Sequence, residues 1–199
     1  MQNLSGLVSP LLELCREAGA LICGHYHAAS AGDFQSKADD SPLTLADTES
    51  HALLQAGLQM LAPSLPLLSE ESPAAALAGR RAWSRYWLVD PLDGTREFLA
   101  GTGEFTINIA LIENHRPVLG VLYLPLEQLA YVGIPGVGAH RYHWPGQGEW
   151  ARSALAARAL EPGRELVLLA SRRHRNAKLD ACLAWLRQRW GPVARRDSG

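Results

Sequence analysis

Cysteine is scarce in this chain: Cys15, Cys23 and Cys182 are all there is, they form no C-x-x-C pair, and any disulfide would leave an odd thiol. That pattern suits a reducing compartment and gives a cytoplasmic expectation. A surplus of one charge is lacking too, since 19 Lys+Arg stand against 20 Asp+Glu for a net charge of -1 with histidines neutral. Such a balance argues against a general polyanion binder, so no nucleic acid polymer is expected as a partner. Long apolar runs are also missing. Glu13, Arg16 and Glu17 interrupt the N-terminal stretch and no basic segment precedes it, while Gln55, Gln59, Pro63 and Pro66 break the stretch from Leu53 to Leu68. Neither a signal peptide nor a transmembrane helix is expected. No internal repeat or low-complexity tract occurs. What is present is enough for a sizeable core: 47% hydrophobic and 20% charged residues over 199 positions exclude global disorder and suit one or two domains.

Apolar positions Val8, Leu11, Leu12, Cys15, Ala18, Leu21 and Ile22 recur at intervals of three and four and predict an amphipathic helix over 7–22, with Pro10 at its start or in its first turn. A second helix is expected from Thr44, whose hydroxyl can cap the following turn, to about Leu61, with Pro63 closing it. After residue 64 the period shortens. Runs at Leu65–Leu68, Tyr86–Val89, Phe105–Ile112, Val118–Leu124 and Leu129–Val132 read as strands, with Glu113-Asn114-His115-Arg116 as a hairpin connection. The alanine-rich stretch from Ala74 to Arg81 reads as a surface excursion or short helix. These segments predict an antiparallel sheet with two helices on one face. A passage rich in Pro and Gly over 143–163 separates an expected N-terminal α+β domain, 1–145, from the start of an α/β unit, 146–199, with a strand at Leu166–Ala170 and a helix at Leu179–Trp190. That second unit is too short for a normal domain with its own core.

Acidic residues mark the chemistry. Asp47 opens the second helix, Glu70-Glu71 follows one strand, and Asp90-Pro91-Leu92-Asp93-Gly94-Thr95 follows another. Pro91 stops an ordinary ladder and Gly94 allows a sharp turn, so Asp90 and Asp93 can converge. Two close carboxylates need neutralising, and oxygen ligands suit Mg²⁺. If Asp90 bridges two ions, the pair can activate water for phosphoryl transfer, with Thr95 orienting that water, Asp47 accepting its proton, and the amides of a short helix after Gly94 holding phosphate. Each element also has a simpler reading. Asp47 suits a helix N-terminus by its dipole, Glu70-Glu71 a solvated loop, and the Asp-Pro-Leu-Asp-Gly-Thr string a turn. His25 with His27, and His140 with His143, lack further ligands at metal spacing. Gly133-Ile134-Pro135-Gly136-Val137-Gly138 is read as a hairpin turn rather than a phosphate loop.

The string Trp87-Leu88-Val89-Asp90-Pro91-Leu92-Asp93-Gly94-Thr95, preceded by Ser69-Glu70-Glu71-Ser72, resembles the metal-binding signature of the inositol monophosphatase superfamily, the lithium-sensitive Mg²⁺-dependent phosphatases. Lys37-Ala38-Asp39-Asp40-Ser41-Pro42-Leu43-Thr44-Leu45-Ala46-Asp47 and Gly94-Thr95-Arg96-Glu97-Phe98 are most similar to its 3'(2'),5'-bisphosphate nucleotidases. Glu97 is informative, because inositol monophosphatases more often carry Asn there. The resemblance implies a layered αβαβα sandwich of the sugar-phosphatase type, α+β or α/β in class, with two or more Mg²⁺ ions. It implies Glu70, Asp90, the Leu92 carbonyl and Asp93 as metal ligands and Asp47 with Thr95 as the water-activating pair. Glu70 also counts among the catalytic and substrate-binding residues. Asp93, Gly94, Thr95 and the Leu92 carbonyl are expected at the scissile phosphate, and Lys37 near a loop that closes on the metals.

Ser171-Arg172-Arg173-His174 is similar to a family segment that contacts nucleotide, with Ser171 and His174 as candidates and the arginines adding positive charge. The implied reaction removes the 3'-phosphate of 3'-phosphoadenosine 5'-phosphate, a nucleotide bisphosphate used in sulfur assimilation, to give AMP and phosphate. An inositol or other sugar-phosphate monophosphatase, or a non-catalytic remnant, are the alternatives. Family members continue past the position of Gly199 with a Ser/Lys segment and a Trp-Asp motif that completes the second metal site, so the chain is expected to be C-terminally truncated, with the sheet edge of its second unit exposed. A homodimer and a peripheral position on the cytoplasmic face of the inner membrane stay open.

Overall fold

The structure is a computed structural model, and it describes residues 3–28, 34–36, 42–161, 163–171 and 176–198. The chain divides into two compact units, 1–155 and 156–199.

In the first unit a 3₁₀ turn, Leu4–Leu7, leads into α1, Val8–Ala28. Pro10 sits in the first turn, where its missing N–H costs no helical bond. The three-and-four spacing does what the sequence implied: Leu11, Cys15, Ala18 and Ile22 are fully buried. The helix runs on past the predicted end at 22, and Tyr26 in its last turn packs its ring at a tilt against Phe98 and Phe105. Strands β1, Phe34–Ser36, and β2, Pro42–Thr44, form a small antiparallel pair. Then α2, Leu45–Leu61, begins at the Thr44 cap as predicted. The two helices approach closely, because a Cβ on Gly57 would lie 2.3 Å from the Leu14 side chain.

A seven-stranded sheet follows: β3, Leu67–Ser69; β4, Arg85–Asp93; β5, Thr106–Glu113; β6, Arg116–Leu124; β7, Leu129–Ile134; β8, Gly138–His143; and β9, Ala151–Leu155, in sequential order. Every neighbouring pair is antiparallel except β3 and β4, which run parallel with Leu67 opposite Trp87. This corrects the expectation of a purely antiparallel sheet. The segment 70–84, with 3₁₀ turns at Ala74–Leu77 and Arg80–Ala82, is long enough for the crossover that a parallel pair requires. The β5–β6 hairpin turns through Asn114 (φ 48°) and His115 (φ 64°), the left-handed pair that a tight two-residue turn needs. Between β7 and β8 lies the hairpin expected at 133–138. The helix-facing side of the sheet buries Trp87, Ile107, Leu111, Leu119 and Tyr123 together with the apolar faces of α1 and α2. Each such side chain contributes roughly 1.5–3 kcal/mol.

Between β4 and β5 stands α3, Thr95–Leu99. The second unit, described by itself, is a βαβ arrangement of β10, Leu166–Ser171, α4, Ala177–Trp190, and β11, Val193–Ser198, with the strands parallel. Asn176 caps α4 by accepting from Leu179 N at 3.0 Å. Leu183 and Val193 are its buried apolar residues. None of β1, β2, β8, β9 and β11 is foretold by the sequence pattern: the first two are only three residues long, and Arg141, His143, Arg152, Arg195 and Asp197 give the others too little apolar alternation to stand out.

Candidate active site

The parallel pairing of β3 and β4 builds the site. It sets the C-terminal ends of these strands side by side, with Ser69 opposite Val89 and Glu70 N donating to Val89 O at 3.4 Å. Glu70 and Asp90 are therefore the next residues on two adjacent strand ends. From Asp90 to Asp93, β4 carries a bulge against β5, with Asp90 opposite Asn108 and Asp93 opposite Thr106. Pro91, which has no N–H to give a ladder, sits inside that bulge, where none is required. The Asp90 carboxylate accepts from Leu92 N at 3.3 Å, and the Pro91 carbonyl accepts from Ser50 Oγ at 3.0 Å. Gly94 then turns the chain at φ 94°, and a Cβ there would lie 2.6 Å from the Glu104 carbonyl. Only glycine fits both the left-handed backbone and that approach.

Asp47 is the most enclosed member, 1% exposed. It is the third residue of α2 and closes a capping box: Thr44 N donates to its Oδ2 at 3.0 Å, the Thr44 hydroxyl donates to the same oxygen, and Asp47 N donates back to Thr44 Oγ1 at 3.2 Å. Its other oxygen, Oδ1, accepts from the Thr95 hydroxyl at 3.1 Å, and the Leu92 carbonyl lies 3.2 Å from the same hydroxyl. One hydrogen bond thus joins the start of α2 to the bulge of β4 and the start of α3.

Of the residues singled out in sequence, the fold brings together Asp47, Thr95 and the Leu92 carbonyl, and puts Glu70 and Asp90 on neighbouring strand ends. Asp93 is exposed and accepts from Asn108 Nδ2 at 2.9 Å. Ser171 ends β10 in the second unit, where its carbonyl accepts from Arg195 at 3.3 Å. Lys37, Arg172, Arg173 and His174 lie outside the described residues. Among the described residues, no three His, Cys, Asp or Glu side chains are gathered closely enough to hold a metal ion. The residues that the resemblance implies as ligands nonetheless offer only oxygen, Glu70 after β3 and Asp90, the Leu92 carbonyl and Asp93 on β4, and oxygen is what a hard divalent cation takes. A cavity of about 710 Å³ over the sheet face away from the helices meets the site at one end, through Ser69, Glu70, Asp90 and Asn108, and is otherwise lined by residues such as Leu88, Leu122 and Tyr131.

Several supporting residues escaped the sequence reading. Ser50 and His51 lie one turn beyond Asp47 on α2, and that spacing is a signal for a shared face. The His51 ring nitrogen Nδ1 bonds Ser69 Oγ at 2.9 Å, and Ser69 Oγ accepts from Glu71 N at 3.3 Å. Partial burial holds the His51 imidazole below its usual range, against the opposing pull of Glu71. Asn108 stands between buried Ile107 and Ile109, a polar residue on the open face of an apolar strand. The histidines set aside in sequence are paired otherwise: His25 with Glu49 at 2.8 Å, and His140 with Arg152 at 2.6 Å. All three cysteines are free thiols, and among the described residues no helix is long and apolar enough to cross a membrane.

Comparison with known proteins extends the picture. Residues 3–189 match the inositol monophosphatase family. The 3'(2'),5'-bisphosphate nucleotidase CysQ of Salmonella typhimurium is 47% identical over 130 residues, which are 65% of this chain and 52% of that protein. CysQ of Escherichia coli K12 is 45% identical over the same share of each. The chain thus spans about half the length of the curated relatives it matches. Among solved structures, CysQ from Bacteroides thetaiotaomicron superposes with a TM-score of 0.74 at 31% identity, over 100% of this chain and 74% of that one. The Thermotoga maritima IMPase, at 19% identity and a TM-score of 0.71, shares the fold over 97% of this chain and 69% of its own. With the family's match over nearly its whole length, its mixed sheet and its layered fold, the chain belongs to the inositol monophosphatase family.

Proposed function

We propose that this chain is a Mg²⁺-dependent phosphomonoester hydrolase that removes the 3'-phosphate of 3'-phosphoadenosine 5'-phosphate, giving AMP and phosphate. The observation that carries the reading is the Thr95–Asp47 hydrogen bond at 3.1 Å, set beside the carboxylates of the β3 and β4 ends. The likeness to the CysQ nucleotidases supports the choice of substrate.

Glu70, Asp90, Asp93 and the Leu92 carbonyl would hold the cation. Magnesium bound there supplies positive charge that acidifies water and offsets the charge developing on the phosphate and leaving oxygens. The chain's own residues handle the proton. Thr95 gives its hydroxyl hydrogen to Asp47 Oδ1, so the lone pairs of Oγ1 are turned outward to accept from a water. As that water's oxygen bonds to phosphorus, its proton passes to Thr95 Oγ1 and the threonine proton passes to Asp47. The bond between phosphorus and the ribose 3'-oxygen breaks, and the oxygen takes a proton from solvent. Thr44, with two donors on Oδ2, keeps the other carboxylate oxygen of Asp47 out of the exchange. Asp93, Gly94 and Thr95 orient the phosphate. A cytoplasmic location accords with the three free thiols.

The test is phosphate release by this chain from 3'-phosphoadenosine 5'-phosphate with and without Mg²⁺, with an inositol monophosphate control. Metal-dependent release from the nucleotide supports the reading. Preference for inositol monophosphate would change the substrate and keep the chemistry, since selectivity is a ratio of kcat/KM values. Release from neither would overturn catalysis by this chain and favour a binding role.

A further inference from the structure

On β5, Thr106 and Asn108 stand two residues apart on one side of the strand, opposite Asp93 and Asp90 across the ladder. Asn108 Nδ2 donates to Asp93 Oδ2 at 2.9 Å, and the Thr106 hydroxyl donates to Asn108 Oδ1 at 3.0 Å. The direction of this chain is forced. A carboxylate oxygen accepts, so the amide must turn its NH₂ toward Asp93; its carbonyl then faces Thr106, whose hydroxyl has to donate. The flanking residues Ile107 and Ile109 are buried at 0% and 2% exposure, so the backbone that carries the amide is anchored in the core. Asp93 itself is exposed, at the end of a bulge, where a carboxylate torsion is otherwise broad.

We propose that Asn108 is a positioning residue for Asp93: it engages one carboxylate oxygen, leaves the other for the cation, and is itself set by Thr106. This rests on the reading of Asp93 as a Mg²⁺ ligand. Asparagine suits the place between Asp90 and Asp93 because it donates without a charge. A lysine would compete with the cation, and an aspartate would add repulsion. Outer partners of this kind orient a ligating carboxylate, and losing one typically weakens metal binding by about 10–100-fold.

The probe is Mn²⁺ binding to the full chain, read from the spectrum of free Mn²⁺, beside phosphate release as a function of Mg²⁺. Asn108→Leu is expected to weaken Mn²⁺ binding by about tenfold or more. It should also raise the Mg²⁺ needed for half-maximal release, with a smaller change in kcat at saturating metal. Thr106→Val weakens binding less, Thr106→Ser restores it, and Thr106→Val adds nothing to Asn108→Leu, because both act through one bond. Equal affinity in the Asn108→Leu and unsubstituted chains overturns the proposal, as does an additive loss in the double variant. If Asn108→Leu does not fold, the contrast between Thr106→Val and Thr106→Ser decides: a difference supports the proposal and equality overturns it. An unsubstituted chain that binds no Mn²⁺ overturns the metal reading itself and this inference with it.

Discussion

The two sides of the site are built to opposite standards of enclosure. On one side Asp47 is 1% exposed, with Thr44 and Thr95 donating to both of its oxygens. On the other, Glu70 and Asp93 are exposed and Asp90 is half-buried, on strand ends and a bulge. The fold itself completes the first side, since the capping box that starts α2 also fixes Asp47, the proposed proton acceptor. The second side presents like charges at a surface and suits a partner of opposite charge. Folding thus sets the orientation of Asp47 and Thr95 in advance, and under the proposed function the exposed carboxylates are left to be organised by what they bind.

Paired substitutions test this contrast most strongly. Asp90→Asn should lower phosphate release by about 100–1000-fold, the scale for losing one electrostatic element of a catalytic site. Thermal stability should hold or rise, because one of the clustered negative charges is gone. Asp47→Asn should cost comparable activity and, in addition, about 1–3 kcal/mol of stability. If its new NH₂ takes the Oδ2 place it meets the Thr44 donors, and if it takes Oδ1 it meets the Thr95 hydroxyl. Rates and melting curves for the two variants check it. An Asp47→Asn chain that melts like the original would break the comparison.

A smaller effect is expected at the hinge between the sides. Gly94→Ala forces a side chain into left-handed backbone, a cost of about 1–2 kcal/mol, and sets its Cβ against the Glu104 carbonyl. Relief requires movement of the segment that carries Thr95, so kcat should fall along with stability. Unfolding by urea, read beside kcat, measures both; stability lost with kcat intact would show that Thr95 keeps its place without the glycine.

Much of this could be read in the sequence, for identifiable reasons. The spacing of Leu11, Cys15, Ala18 and Ile22 gave α1 its buried face, and Thr44 with Asp47 three residues on gave α2 its start. The acidic strings could be located because Pro91 and Gly94 punctuate them. The parallel pairing of β3 with β4 was not legible, because strand direction depends on the path of 70–84 and not on the pattern inside either strand. Asn108 went unnoticed because its role depends on register: it faces Asp90 only once β4 and β5 are aligned. Ser69 stands out in the sequence only as the neighbour of Glu70-Glu71, whereas in the fold it is buried and links Glu71 to α2 through His51.

That link gives the smallest of the expected effects and sharpens the contrast between the two sides. His51 stands one turn after Asp47 on α2, yet its ring bonds Ser69, the residue before Glu70, so it ties the enclosed side to the exposed one. Burial holds the imidazole below the ordinary value of 6.5, with Glu71 pulling the other way. The folded chain therefore gives up the His51 proton more readily than the unfolded chain. Above pH 6.5 both forms carry a neutral ring and the stabilising contribution is complete. As pH falls below that value the unfolded chain takes up its proton first, and stability declines until the folded ring is protonated too. Thermal melts should show a Tm that declines on this acid side by at most a few degrees, and His51→Gln should flatten that part of the profile. A slope unchanged by the substitution would assign the acid sensitivity to the carboxylates of the exposed side, and α2 would then be joined to Glu70 by packing without a titrating contact.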